Sequence, residues 1–77
     1  MSLLLPQTRV GIVRSVMPVS IHGDRYVDLV IALEGSTDPP AAGRVGAADC
    51  PDSLAPGERV SVRFTLGVIV RVAREAG

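Results

Sequence analysis

In the last third of the chain, residues 59–72, polar and apolar residues alternate and keep one phase across the break Thr65, Leu66, Gly67. A side-chain period of two marks a half-buried β-strand. Val60, Val62 and Phe64 share a face with Val68, Val70 and Val72, and only a connection of odd length keeps that face when a chain doubles back. The pattern predicts a β-hairpin with a three-residue loop, Gly67 taking the left-handed conformation that costs glycine nothing. Arg59, Ser61, Arg63, Ile69 and Arg71 are then outward, with Ser61 opposite Arg71 and Arg63 opposite Ile69.

Upstream, residues 9–21 read as one long strand, bent or bulged at Gly11 or Pro18. His22, Gly23, Asp24 and Arg25 supply turn chemistry, and residues 26–34 form a second strand with Val27, Leu29, Ile31 and Leu33 on one face. Met17, Val19 and Ile21 are the expected partners of that face. Val30, Ala32 and Ile69 point outward, as on a strand covered by another chain. The run GSTDPPAAG, residues 35–43, predicts a mobile connector, since its prolines and glycines forbid regular structure. Residues 44–48 follow as a short third strand. Pro51 is placed to open one helical turn, and Pro56-Gly57 reads as a tight turn into the closing hairpin.

These elements amount to five strands with an interruption between the third and fourth, the outline of an all-β, five-stranded OB-like barrel. An SH3-like barrel is the alternative if the first strand is really two. Residues 1–8 read as a lead-in, 9–74 as the single domain and 75–77 as a tail.

A chain of 77 residues has room for one domain with a small core. With no Trp, one Phe and one Tyr, that core must be aliphatic, and so small a core favours self-association, by which a domain gains burial from a partner subunit. The net charge is zero, so nothing draws the whole chain toward nucleic acid or anionic lipid. Cys50 is the single cysteine, which rules out an intramolecular disulfide and a cysteine metal site and favours a reducing compartment. The opening residues are too short for a signal segment and are stopped by Pro6. The longest apolar stretches fall far short of the roughly 20 residues of a spanning helix. A cytoplasmic protein is expected.

Little here points to catalysis. Cys50 and His22 are the one thiol and the one imidazole, and a nucleophilic site would need them in contact with a third, orienting group. The carboxylates are scattered; Asp49 and Asp52 flank one loop as a weak candidate for a cation. No enzyme, metal or resident cofactor is expected. The constellation with chemistry in it is the basic face Arg59, Arg63 and Arg71 around Ser61, with Tyr26 and Ile69 as apolar anchors. It suits a protein interface. The alternative is a single-stranded nucleic-acid binder in which the arginines follow phosphates and Tyr26 stacks on one base.

The run Gly11-Ile12-Val13-Arg14-Ser15-Val16, the turn at Gly23-Asp24 and the stretch from Leu54-Ala55-Pro56-Gly57-Glu58-Arg59 through Val60-Ser61-Val62-Arg63-Phe64 together resemble the transport-associated OB (TOBE) domains. Such domains are appended to ABC-transporter ATPases and occur alone in small molybdate-binding proteins. The resemblance covers residues 10–74 and rests on a frame common to many OB-like barrels. It implies a five-stranded barrel that packs against itself or a neighbour and binds a small oxyanion such as molybdate or senses a transporter's state. The connector at residues 35–43 is longer than the tight turn usual there.

Overall fold

A computed structural model describes residues 5–75, where the alternating pattern becomes five strands: β1 (Gln7–Ile21), β2 (Asp24–Leu33), β3 (Ala41–Gly46), β4 (Arg59–Thr65) and β5 (Val68–Arg74). Residues 1–4 of the expected lead-in and 76–77 of the expected tail lie outside the described residues. The strands form one antiparallel sheet in the order β3-β2-β1-β4-β5. Central β1 serves both halves: Gly11 and Ile12 pair with β2 on one side and with β4 on the other. The sheet curls until its edge strands meet side chain to backbone, with Gly43 of β3 facing Ile69 of β5 so closely that a Cβ there would lie 3.2 Å from the Ile69 side chain. This is an OB-like barrel. Because β1 runs unbroken for 15 residues, the condition for the SH3-like alternative is not met.

The interior is aliphatic. Val13, Leu29, Ile31, Val60 and Val62 are at most 1% exposed, and Val45, Ile69, Val72, Leu54 and Phe64 complete the core. Leu54 comes from the connection between β3 and β4. Burying each such side chain is worth about 1.5–3 kcal/mol.

Two bulges decide which residues face this core; the first is not where the sequence places it, and the second was not expected. In β1 the register with β2 slips between Val13 and Ser15, making Arg14 the extra residue rather than Gly11 or Pro18. Gly11 instead permits the close approach of β2, since a Cβ on it would meet Ile31 Cγ2 at 2.6 Å and the Ala32 carbonyl oxygen at 2.7 Å. Past Arg14 the phase of β1 flips. Val16 and Pro18 pair with Leu29 and Val27, while the expected partners Met17, Val19 and Ile21 pair with Asp28, Tyr26 and Asp24 on the outside.

The closing hairpin corrects the sequence reading as well. Thr65 pairs with Val68, so the loop is the two residues Leu66 and Gly67, with φ of 54° and 76°. Two successive positive φ values describe the type I′ turn that suits the twist of a hairpin. Phe64 then pairs with Ile69, which turns inward at 3% exposure, and the register slips so that Arg63 meets Arg71 and Val62 meets Val72. Val70 is the bulged residue. An even loop plus one extra residue brings Val72 to the core just as an odd loop would, but it buries Ile69 and leaves Val68 and Val70 at 56% and 38% exposure.

Smaller boundaries also move. β3 begins at Ala41, so its first three residues come from the expected connector, and the helical turn (Ala47–Asp49) precedes Pro51 instead of following it. Pro56-Gly57 is a tight turn as expected: Glu58 N–H donates to the Ala55 carbonyl at 3.2 Å, with Gly57 at φ 93°. Proline second and a positive-φ glycine third make it type II. Its backbone reaches β1, because Val13 N–H donates to Glu58 O at 2.9 Å and Gly57 N–H to Val13 O at 2.8 Å, satisfying the strand beside the bulge.

Candidate functional site

β4 turns Arg59, Ser61 and Arg63 outward because Val60, Val62 and Phe64 are held in the core. Ser61 lies across from Ala73, and Arg63 directly across from Arg71. Of the three arginines, Arg59 is already engaged: its Nε and Nη2 donate to the two Glu34 carboxylate oxygens at 2.7 and 3.1 Å. This fork holds the Glu34 carboxyl below its ordinary pKa, burial opposing it only in part. Arg71 Nη2 lies 3.3 Å from Asp49 Oδ1, whereas Arg63 has no carboxylate partner among the described residues. Of the three, Arg63 alone is left without a carboxylate among the described residues, and Arg71 opposite it is held by a single, longer hydrogen bond to Asp49. Ile69, expected to anchor this basic surface, is in the core.

Tyr26 is not part of that surface. It pairs with Val19, near the end of β1, while Arg63 pairs with Thr8 near its start. At about 3.3 Å per residue, the intervening strand is on the order of 35 Å long before its bend is allowed for, in a molecule whose greatest extent is 38 Å.

Tyr26 belongs to a second surface, the outer face of β1, β2 and β3. Its rows are Ser15, Val30 and Ala42; Met17, Asp28 and Arg44; and Val19, Tyr26 and Gly46, with Ile21 and Asp24 at the edge beyond them. Met17 is 61% exposed and Ile21 36%. The two charges among these rows neutralise each other: Arg44 Nε and Nη2 donate to Asp28 Oδ1 and Oδ2 at 2.7 and 3.0 Å. The Arg44 hydrogen bond lowers the Asp28 pKa against a smaller opposing effect of burial. A cavity of about 350 Å³ opens beside Tyr26, between Val19, Val27 and Ala47. The sequence hinted at this surface through the outward placement of Tyr26, Val30 and Ala32; the bulge at Arg14 adds Met17, Val19 and Ile21.

Around Cys50 the chemistry is structural. Burial pushes its thiol pKa up, Arg74 pulls it down and Asp52 adds a smaller push upward, so the less reactive thiol form dominates at neutral pH. Arg74 donates to Glu58 at 2.8 Å and to the Asp52 carbonyl at 2.8 Å, tying the β3–β4 connection to β5. Asp49 pairs with Arg71 as above, and no cluster of three potential metal ligands occurs among the described residues. Nor is any helix there long and apolar enough to cross a membrane. Comparison with protein-family models, curated proteins and solved structures returns no match.

Proposed function

We propose that the chain is a non-enzymatic, OB-like binding and assembly module that meets another protein, in the first instance a second copy of itself, through the outer face of β1, β2 and β3. The observation that carries this reading is the exposure of Met17 and Ile21 beside Val19, Tyr26 and Val30, on a face where Asp28 and Arg44 cancel each other. A mostly apolar surface, on which Asp24 beside Ile21 at the edge is the carboxylate left over, gains most by meeting one of its own kind. The zero net charge of the chain removes long-range repulsion between copies. Pairing through a sheet edge is less favourable, since β5 carries its bulge at Val70 and β3 is preceded by Pro39-Pro40. The resemblance to TOBE domains points the same way, toward a barrel that packs against itself or a neighbour.

The nucleic-acid alternative draws its support from Arg63 facing Arg71. It is the weaker reading, because Arg59 is occupied by Glu34 and Tyr26 stands far along β1, separating phosphate contacts from the one stacking platform.

Sedimentation across low-micromolar to millimolar concentration tests the proposal. The mass should rise with concentration, and Met17→Glu should hold the chain monomeric with its fold intact. A wild-type mass that stays monomeric throughout refutes self-assembly. Salt-sensitive binding of a single-stranded oligonucleotide, lost in Arg63→Ala, would put the alternative first.

A further inference from the structure

Gln7, Arg9, Gly11 and Val13 alternate toward the inner side of the sheet, since Gln7 pairs with Phe64, Arg9 with Val62 and Gly11 with Val60. Arg9 thus stands on the core side, at the end of the barrel where β1 begins. It differs from every other arginine. The remaining seven are exposed, and four of them hold carboxylates; Arg9 alone is half-buried, and it has no ion pair or side-chain hydrogen bond among the described residues. A guanidinium that has given up part of its water without gaining a counter-ion is open to an anion, and its planar fork suits a carboxylate held by two parallel hydrogen bonds.

Beside it lies a cavity of about 80 Å³ lined by Gln7, Arg9, Leu33, Phe64 and Gly67. Its composition is specific. One cation and one amide can hold two oxygens, while Leu33 and Phe64 supply apolar walls for whatever carries them. At roughly 10–15 Å³ per water-sized group, the space takes a group of about five to eight heavy atoms, enough for propionate.

We propose that this mouth of the barrel is a binding site for a carboxylate on a short aliphatic stem, with Arg9 gripping the two oxygens, Gln7 donating from its amide and the stem lying against Leu33 and Phe64. Such a carboxylate comes from one of two sources, a free small acid or the carboxyl terminus of a partner chain. The site lies on the inner side of β1, away from the outer face assigned to assembly, so each proposal can fail without the other.

The test is a nuclear magnetic resonance titration of the whole chain with sodium propionate, alongside propionamide and sodium chloride at matched ionic strength. The expected result is saturable shifts at the amides of Gln7, Arg9, Leu33, Phe64 and Gly67, with a Kd on the order of millimolar for so small a ligand. Arg9→Met, which keeps the apolar stem, should weaken binding about tenfold or more, and Arg9→Lys, which keeps charge but not the fork, by less. Equal shifts with propionamide or chloride overturn the proposal, as do unchanged shifts in Arg9→Met or none in the wild type. Should Arg9→Met fail to fold, propionate against propionamide on the wild type still decides. A short peptide with a free carboxyl terminus that binds more tightly than propionate, and loses that advantage when amidated, assigns the site to a partner chain; otherwise the free acid is the ligand.

Discussion

The two β-hairpins are built to one plan and end with opposite surfaces. Each closes on a two-residue turn with both φ values positive, His22-Gly23 in the first and Leu66-Gly67 in the second, and each contains one bulged residue. In the β1–β2 hairpin the bulge at Arg14 lies mid-strand, where β1 passes from its β4 neighbour to β2 alone. It sends Met17, Val19 and Ile21 outward, so that hairpin shows a mostly apolar face whose Asp28 is neutralised by Arg44 of β3. In the β4–β5 hairpin the bulge at Val70 sits just after the turn. There it buries Ile69 and sets Arg63 against Arg71, leaving a basic outer surface. A single inserted residue decides what a strand shows to solvent, because every residue beyond it changes face.

The largest expected effect tests the second bulge. Ile69→Ala should cost about 2–5 kcal/mol in denaturant unfolding, the range for truncating a buried aliphatic residue, while Val70→Ala should stay within about 0.5 kcal/mol. The reverse order would restore unbroken alternation and make the two hairpins different in kind. A smaller effect comes from acid. Asp28, Glu34 and Glu58 each have a pKa lowered chiefly by a hydrogen bond from Arg44, Arg59 and Arg74 respectively. A carboxyl whose folded pKa is depressed stabilises fully above its unfolded value and loses that contribution as pH falls through the folded one. The unfolding midpoint should therefore hold from neutral pH down to the ordinary glutamate value of 4.5 and then decline. These pairs are exposed, so the decline should be shallow and flatten further in high salt. A midpoint that rises on acidification would contradict the pairing.

The smallest effect compares the turns. Leu66 adopts φ 54° at 65% exposure, a conformation that Asn tolerates far better than Leu. Leu66→Asn should gain about 0.5–1 kcal/mol in thermal or denaturant unfolding, and His22→Asn less, since His already enters the left-handed region more readily than Leu. Equal gains at both positions would mean that the turns are not strained differently.

Much of the architecture was legible beforehand. The odd positions of β2 from Val27 to Leu33, the even positions of β4 from Val60 to Phe64, the long bent first strand and the Pro56-Gly57 turn all follow from side-chain period and from what proline and glycine permit. The site residues were harder to read. Arg59, Ser61 and Arg63 share an outward face as their spacing requires, and Arg71 joins them. Ile69 does not, and Tyr26 lies at the far end of β1. Arg9 carried no signal, because a charged residue on the inner side of a strand looks the same in sequence as one placed just outside it.

Local alternation and turn chemistry by themselves determined an all-β chain of five strands around an aliphatic core. The tertiary structure decided the rest, for two physical reasons. An odd loop and an even loop with a bulge bring Val72 to the same side, so the period of two cannot tell them apart until cross-strand packing selects one. The partner of each arginine is also set by distance in space: Asp28 and Arg44 are 16 residues apart, and Glu34 and Arg59 are 25 apart, separations that only the pairing and register of the strands close.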